Sequence, residues 1–584
     1  MNNINEKNLY PKPYKIIDGG LCMEMTSKQG SFNRRLCNFT PRLISEITVD
    51  DGLEVTKRLR LGGRLSNGRA LPEIEINGSE LGSFNWLLEK WGVDCVLEVG
   101  RNVKDSVRHA IQLTSQYADK KNLYTVTGWK KIDGEWHYLL PGDEDYDVTL
   151  TCKLSRYLKG DSCNEDSVRN AYTIHEYPPV KKEVMLPLLA FVFLTPLGEF
   201  MKKAGCEPKF VLFLVGHTGT RKSTLAALFL SFFGNFTASD LPLSFRDTAN
   251  SILHNAFTLK DVLTCIDDFH PSGRQEEVKL NATAQTVMRA YGDRTGRGRL
   301  RADSSLMESR APQGNAIITA EFTPDISESG TARYFAIELK DGDVDLDCLT
   351  VFQKVAAMGL FRQLMLGYTE WLRINFLYDE KAEREFIGQL KTDFETAREC
   401  FRRDHPAVHG RIPETVACLK VGYNMYLEFL SDWGMMNIVT ADSMRQEFCD
   451  IINAQAEAQS KSVSADKPTH KFIRKLNSLL ESGQAYVMKR NEKYEPTGAG
   501  FVGWEDEKFY YLNCDSAVKA VRRLCEDSGE SFTITPKALL KQLAEEGLIE
   551  TKDGKSTRLI RINGKPKRLA CLIKEKADSI AELS

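Results

Sequence analysis

Gly216-His217-Thr218-Gly219-Thr220-Arg221-Lys222-Ser223 is the stretch on which the reading of this chain turns. The apolar run Phe210 to Val215 precedes it, and Thr224 leads from it into a largely apolar run that ends at Phe233. A buried strand, a glycine-bearing loop and a helix start form the context that a phosphate-binding loop requires. In such a loop the backbone N–H groups of residues 216–224 and the helix dipole cradle phosphates. Lys222 is placed to reach the β and γ phosphates, and the Ser223 hydroxyl to hold Mg²⁺. ATP with Mg²⁺ is the expected ligand. The usual pattern has glycine before the lysine; this chain has Arg221.

Working outward, the run Val262 to Ile266 ends in Asp267-Asp268, 45 positions beyond Lys222, with a helical stretch at 248–259 between them. An apolar strand closing on two acids is the expected second half of a nucleotide site. Asp267 is the candidate to hold the magnesium through its water shell, and Asp268 the candidate to polarise the attacking water. Ala316 to Ala320 reads as a further central strand. It closes on Thr319 and Glu321, where such ATPases keep a polar residue that senses the γ-phosphate. Arg333 opens a last strand through Leu339. If subunits form a ring, Arg333 crosses to the neighbour's nucleotide and stabilises the charge of the transition state. Between the acid pair and the third strand, Arg294, Arg297, Arg299 and Arg301 fall within eight positions, spaced by glycines. A basic hairpin there is expected to project into a ring's channel and grip a phosphate backbone.

These residues carry a resemblance. The loop from Gly216 to Ser223 resembles that of MCM helicases, which also have a non-glycine residue before the lysine. Cys265-Ile266-Asp267-Asp268-Phe269 is similar to the MCM acid motif, with Asp in place of the usual Glu, and Ala332-Arg333-Tyr334-Phe335 resembles the arginine-finger motif. The layout over residues 120–345 resembles the helicase-like ATPases of phages, plasmids and cassette-type mobile elements. The resemblance implies an AAA+ ring, a hexamer, that translocates on DNA. It also implies a sensor asparagine at the end of the third strand, where Glu321 stands instead.

The rest of the chain divides by pattern. Residues 1–120 alternate apolar and polar positions in short runs broken by Gly and Asn, which predicts an α+β domain. Residues 121–182 hold a hairpin, with the turn Asp133-Gly134, and a connector. Trp129, Trp136 and Tyr138 of that hairpin either stack on bases or pack a small sheet, and packing is the commoner use of such residues. The ATPase core spans 183–345 and a helical lid 346–455, with Arg411 a candidate second sensor. Residues 456–470, being polar, read as a linker. Residues 471–584 show a helix, a second helix opened by Thr535-Pro536, and a hairpin through Asn563-Gly564, a winged-helix pattern. Arg558, Arg561, Lys567 and Arg568 make that hairpin basic, so the wing is the expected DNA contact; a protein-binding winged helix is the alternative. The fold class is thus α/β, a P-loop ATPase core with an α+β N-terminal region, a helical lid and a C-terminal winged helix.

Composition bounds the alternatives. A chain of 584 residues exceeds a single core. Its formal net charge of −2 carries no overall electrostatic attraction to nucleic acid, so any basic surface is local. The cysteines show no Cys-x-x-Cys spacing, which argues against a zinc site and for reduced thiols in the cytoplasm. The apolar stretch Val184 to Phe200 contains Pro187, Pro196 and Glu199 and reads as a buried helix, not a membrane span. The function these features imply is an ATP-dependent, ring-forming DNA helicase acting in the replication of a mobile element. A primase, polymerase or single-strand-binding protein is the expected partner. Two rivals stay open: a DNA translocase or loader that separates no strands, and a nucleotide-locked DNA-binding initiation factor.

Overall fold

The structure is a computed structural model that describes residues 9–581 apart from 29, 271–273, 297, 298, 301–305, 308, 324–332, 407, 409, 466, 493–495, 497–499, 529–531, 533 and 553. These residues form two compact units. One contains the residues up to 132 with 137–159 and 258–260; the other contains 133–136, 160–257 and everything from 261 onward.

In the first unit, Tyr14–Ile17 (β1), Gly20–Ser27 (β2) and Gly30–Cys37 (β3) make an antiparallel three-stranded sheet. Phe39–Asp50 (β4), Val55–Leu65 (β5), Ala70–Asn77 (β6), Asp119–Tyr124 (β7) and Asp147–Val148 (β10) make a second sheet in the order β10-β7-β4-β5-β6. Leu43 faces Leu61 across the β4–β5 pair. One face of this sheet is closed by the helix Val103–Leu113 (α1), which buries Val107, Ala110 and Ile111 at a helical spacing. The hairpin Gly128–Ile132 (β8) and Glu135–Leu139 (β9) turns at Asp133 and Gly134, both with positive φ (50° and 94°), as a two-residue turn demands. Trp129, Trp136 and Tyr138 are all buried. Trp129 meets Tyr138 edge to face; Trp136 belongs to the second unit, where its ring packs on Phe200 while its Nε1 donates to Glu383. The three aromatics are packing residues, and none offers a face to a base.

The second unit is built on a parallel sheet of Val211–Val215 (β11), Leu243–Ser244 (β12), Leu263–Phe269 (β13), Asn315–Ala320 (β16) and Tyr334–Glu338 (β17), ordered β12-β13-β16-β11-β17. β11 and β16 are apolar almost throughout because the central strands of a covered parallel sheet bury both faces. The first helices of this unit are Glu165–Tyr172 (α2), Lys182–Leu194 (α3), Gly198–Lys203 (α4), Lys222–Leu230 (α5), Ala249–Thr258 (α6) and Arg274–Asp293 (α7), of which α3, α5, α6 and α7 connect or cover these strands. Helix α3 runs on through Lys203 in a segment long and apolar enough to cross a bilayer, but 89% of its most apolar window is buried within the protein. That is the situation of a core helix.

After β17 come the helices Leu346–Ala357, Leu360–Phe376, Glu380–Asp404, Ile412–Asp432 and Ile438–Ala465. The last of these corrects the expected linker. Residues read as linker continue the helix to Ala465, and a new helix, Pro468–Glu481, begins three positions later. The polar composition misled because one polar side chain has an internal task. Gln459 is buried, and its Nε2 donates to the Tyr334 carbonyl (2.6 Å) while its Oε1 accepts from the Ala336 N–H (2.9 Å). One amide thus gives the outer edge of β17 the two hydrogen bonds that another strand would give.

Beyond this, the C-terminal residues form more than two helices and a wing. Tyr486–Lys489 (β18), Phe501–Glu505 (β19), Phe509–Leu512 (β20), Arg558–Ile562 (β21) and Lys565–Ile573 (β22) make one sheet, β18-β19-β20-β22-β21. The predicted helices, Cys514–Asp527 and Pro536–Glu545, cover one face with Pro468–Glu481; Trp504, Tyr511, Ile560 and Leu569 cluster on the other.

Candidate active site

The glycine-bearing loop leaves β11 at Val215 and enters α5 at Lys222. Gly216 sits so near the Leu339 carbonyl that a side chain would collide with it. Gly219 has φ +96°, open to glycine and costly to other residues. Arg221 caps α5 with φ +70°, the left-handed conformation that the missing glycine would adopt without cost. The Lys222 ammonium folds over the loop and donates to the carbonyls of Gly216 (2.6 Å) and His217 (2.8 Å). Burial lowers the pKa of that ammonium, opposed by Glu321, Asp267 and Asp268.

The acid pair lies across the cleft. Between Ile266 and Phe269 the pairing of β13 with β16 slips, and Asp268 takes φ +67°. Successive residues of a regular strand point to opposite faces; the slip lets Asp267 and Asp268 both turn toward the loop. Asp267 Oδ1 accepts from the Ser223 hydroxyl at 2.8 Å and the Thr319 hydroxyl at 2.5 Å. Thr319 Oγ1 also accepts the Asp268 backbone N–H at 3.1 Å, so this strand-end hydroxyl serves the acid pair directly. The Asp268 carboxylate is bound by Arg246, at 2.9 Å from Nη2 and 3.1 Å from Nε. Nothing in the spacing of the sequence singles out Arg246, which follows the short strand β12.

Glu321 follows β16 and accepts from the Thr218 hydroxyl and from His270 Nδ1, the latter at 2.8 Å. The Thr218 hydrogen bond holds its carboxyl below the ordinary range, with smaller help from His270 and Lys222, against a desolvation cost. Together Thr218, Arg221, Lys222, Ser223, Thr224, both aspartates, His270, Thr319 and Glu321 line a cleft of about 320 Å³. Ser223 and Asp267 offer a hydroxyl and a carboxylate within hydrogen-bond distance of each other. That hard-oxygen pair suits Mg²⁺, which takes one or two protein ligands and fills its octahedron with phosphate and water. Among the described residues, no group of three or more His, Cys, Asp or Glu side chains is placed to hold a metal ion by itself.

The arginines divide. Arg333 does not line the cleft. It is buried, with Nη2 at 3.0 Å from both carboxylate oxygens of Asp293 at the end of α7. Arg411, the candidate second sensor, approaches the same Asp293 at 3.5 Å. The Arg294 side chain is only 8% exposed, and it donates to the carbonyls of Pro208, Pro312 and Gly314 and to the Asn315 side chain. Its guanidinium pins α7 to the start of β16, so the expectation that it contacts DNA is withdrawn. Arg297 and Arg301 lie outside the described residues, and Arg299 stands in the short strand Arg299–Leu300 (β14), paired with Leu306–Met307 (β15). On the C-terminal hairpin, Arg561 and Arg568 are exposed, Lys567 lies 4.3 Å above the Trp504 ring, and Arg558 pairs with Glu550.

Neither a family model nor a curated protein matches the chain. A solved structure described as "SCCmec type IV Cch - active helicase" is similar along nearly its whole length, with a TM-score of 0.59 and 16% identity over 98% of this chain and 99% of that one. The fold resembles that of a solved helicase. At this identity the likeness is one of architecture, and it covers the N-terminal and C-terminal regions as fully as the parallel sheet.

Proposed function

We propose that this chain is an ATP-dependent DNA helicase of a mobile genetic element, with an MCM-like AAA+ core that works as a ring, in the replication of that element. The observation that carries the proposal is the cleft itself. A lysine, a serine and two aspartates meet at the carboxyl ends of parallel strands whose order places β11 between β16 and β17. The whole-length likeness to a helicase adds DNA unwinding to nucleotide hydrolysis as the reading.

In this reading residues 216–224 wrap the triphosphate, and Lys222 exchanges its loop carbonyls for β and γ oxygens. Ser223 and Asp267 would hold a magnesium ion, which when bound would supply charge neutralisation to the phosphates. Asp268 orients the attacking water once it leaves Arg246. Arg333, released from Asp293, serves the nucleotide of the neighbouring protomer. Arg297, Arg299 and Arg301 contact the DNA backbone in the channel, and Arg561, Lys567 and Arg568 with Arg558 contact it at the C-terminal hairpin.

Lys222→Ala tests this directly on a forked duplex. The expected result is a folded protein with neither DNA-stimulated ATP turnover nor strand displacement; unchanged turnover removes the site assignment. A second reading, a nucleotide-locked initiation factor, draws on one observation: Asp268 is a methylene shorter than the usual Glu and is bound by Arg246. Tight ATP binding by the wild-type chain with no hydrolysis, on any DNA, supports that second reading.

A further inference from the structure

Glu321 stands where the γ-phosphate is expected to be sensed, yet its chemistry is wrong for direct contact. An ionised carboxylate only accepts hydrogen bonds, and so do phosphate oxygens. The hydrogen bond from Thr218 keeps that carboxyl ionised. With Asp267 and Asp268 it makes three carboxylates lining a cleft that is read as holding a triphosphate. A third acid there is tolerable only if it acts through a donor.

The structure supplies one. His270 lies just beyond β13, two positions past the acid pair, and its Nδ1 is 2.8 Å from Glu321 Oε2. The ring belongs to the cleft lining, and its side chain is 49% exposed, open to a ligand. A carboxylate on Nδ1 fixes the plane of an imidazole and leaves Nε2 for a second partner. To donate to a carboxylate and a phosphate together, the ring has to carry an N–H on each nitrogen, as an imidazolium does.

We propose that His270, oriented by Glu321, is the residue that contacts the γ-phosphate, so that a Glu–His pair replaces the polar sensor at this strand end. His270 is then a catalytic residue and Glu321 a positioning residue. The proposal rests on the ATPase reading above and deepens it.

The test compares two nucleotides, because a γ-phosphate contact separates ATP from ADP and a general packing role does not. Magnesium complexes of a non-hydrolysable ATP analogue and of ADP are titrated calorimetrically into the full chain and into His270→Ala. The expected loss is about ten- to hundredfold for the analogue, the range for one charge-assisted hydrogen bond, with ADP affinity within about twofold of wild type. His270→Gln, which keeps an N–H donor, is expected to recover part of the analogue affinity. Equal affinity for the analogue in His270→Ala and wild type overturns the proposal, and so does an equal loss for both nucleotides. A wild-type chain that binds neither nucleotide ends the ATPase reading and this one with it; selective retention of the analogue ends this one alone.

Discussion

At Asp268 a short acid, a left-handed backbone and an arginine meet, and in the proposed ATPase each would bear on turnover. The Arg246 partner is 84% exposed along its side chain. An ion pair in that setting is worth about 1 kcal/mol or less, so it is readily exchanged. Arg246→Ala is expected to raise DNA-independent ATP turnover by up to about fivefold by freeing the acid, measured as steady-state phosphate release. A fall in turnover would mean that Arg246 itself serves the nucleotide. Arg221 allows a test on stability. Its φ of +70° costs a non-glycine residue roughly 1 kcal/mol or more. Arg221→Gly is therefore expected to raise the melting midpoint slightly while leaving ATP binding intact, and a lower midpoint would show that the arginine side chain contributes more than its backbone strain costs. The loop and the acid pair were legible because each is a local pattern, a strand followed by its terminal residues. Arg246 and His270 were not, since each meets its partner only after the chain has folded: Arg246 is 22 positions from Asp268, and His270 is 51 from Glu321.

Among elements, the helix Ile438–Ala465 and the strand β17 are joined by the Gln459 amide. Gln459→Ala leaves the Tyr334 carbonyl and the Ala336 N–H without these partners, the first in a buried and the second in a part-buried setting. The cost is expected to be about 2–3 kcal/mol, with faster hydrogen exchange at the Ala336 amide as the local readout. Exchange at wild-type rates would place the strand's stability elsewhere. β17 begins one residue after Arg333, and the packing there is tight. A methyl group on Gly292 would overlap the Arg333 side chain where it lies along the end of α7. The turn Asp133-Gly134 marked the hairpin, which the structure has at Gly128–Ile132 and Glu135–Leu139. A turn signal could not say which aromatics would be covered, because it fixes the pairing of two strands and not what packs on them. In the same way, the C-terminal helices and final hairpin were legible, while β18, β19 and β20 were not. Their residues pair across the sheet with segments far along the chain, as Leu512 does with Ala570.

For the whole molecule, the open matter is how Arg333 acts. In the single chain it is buried and bound to the part-exposed Asp293, so Arg333→Ala removes a buried side chain with its ion pair and is expected to weaken the fold as well as any assembly. Mixing separates the two effects. Arg333→Ala and Lys222→Ala are each expected to be inactive alone. If the arginine serves a neighbour's nucleotide, equimolar mixing restores part of the ATP turnover, because some interfaces then pair an intact loop with an intact arginine. No recovery on mixing, with both variants folded, places Arg333 within its own subunit as a structural group.

The sequence by itself determined the local pattern: a glycine-bearing loop at 216–223 between a strand and a helix, two acids at a strand end and a polar strand end at Thr319 and Glu321. It did so because those patterns need only neighbours along the chain. The tertiary structure alone decided which side chains are spent on the fold and which face the cleft. Arg294 is consumed by four acceptors contributed by Pro208, Pro312, Gly314 and Asn315. Gln459, in a stretch polar enough to pass for a linker, closes a sheet edge. His270, unremarked in the sequence, lies against Glu321 at the site. The reason is the same in each case: a hydrogen-bonding group takes its role from the partner that folding brings to it, and composition does not name that partner.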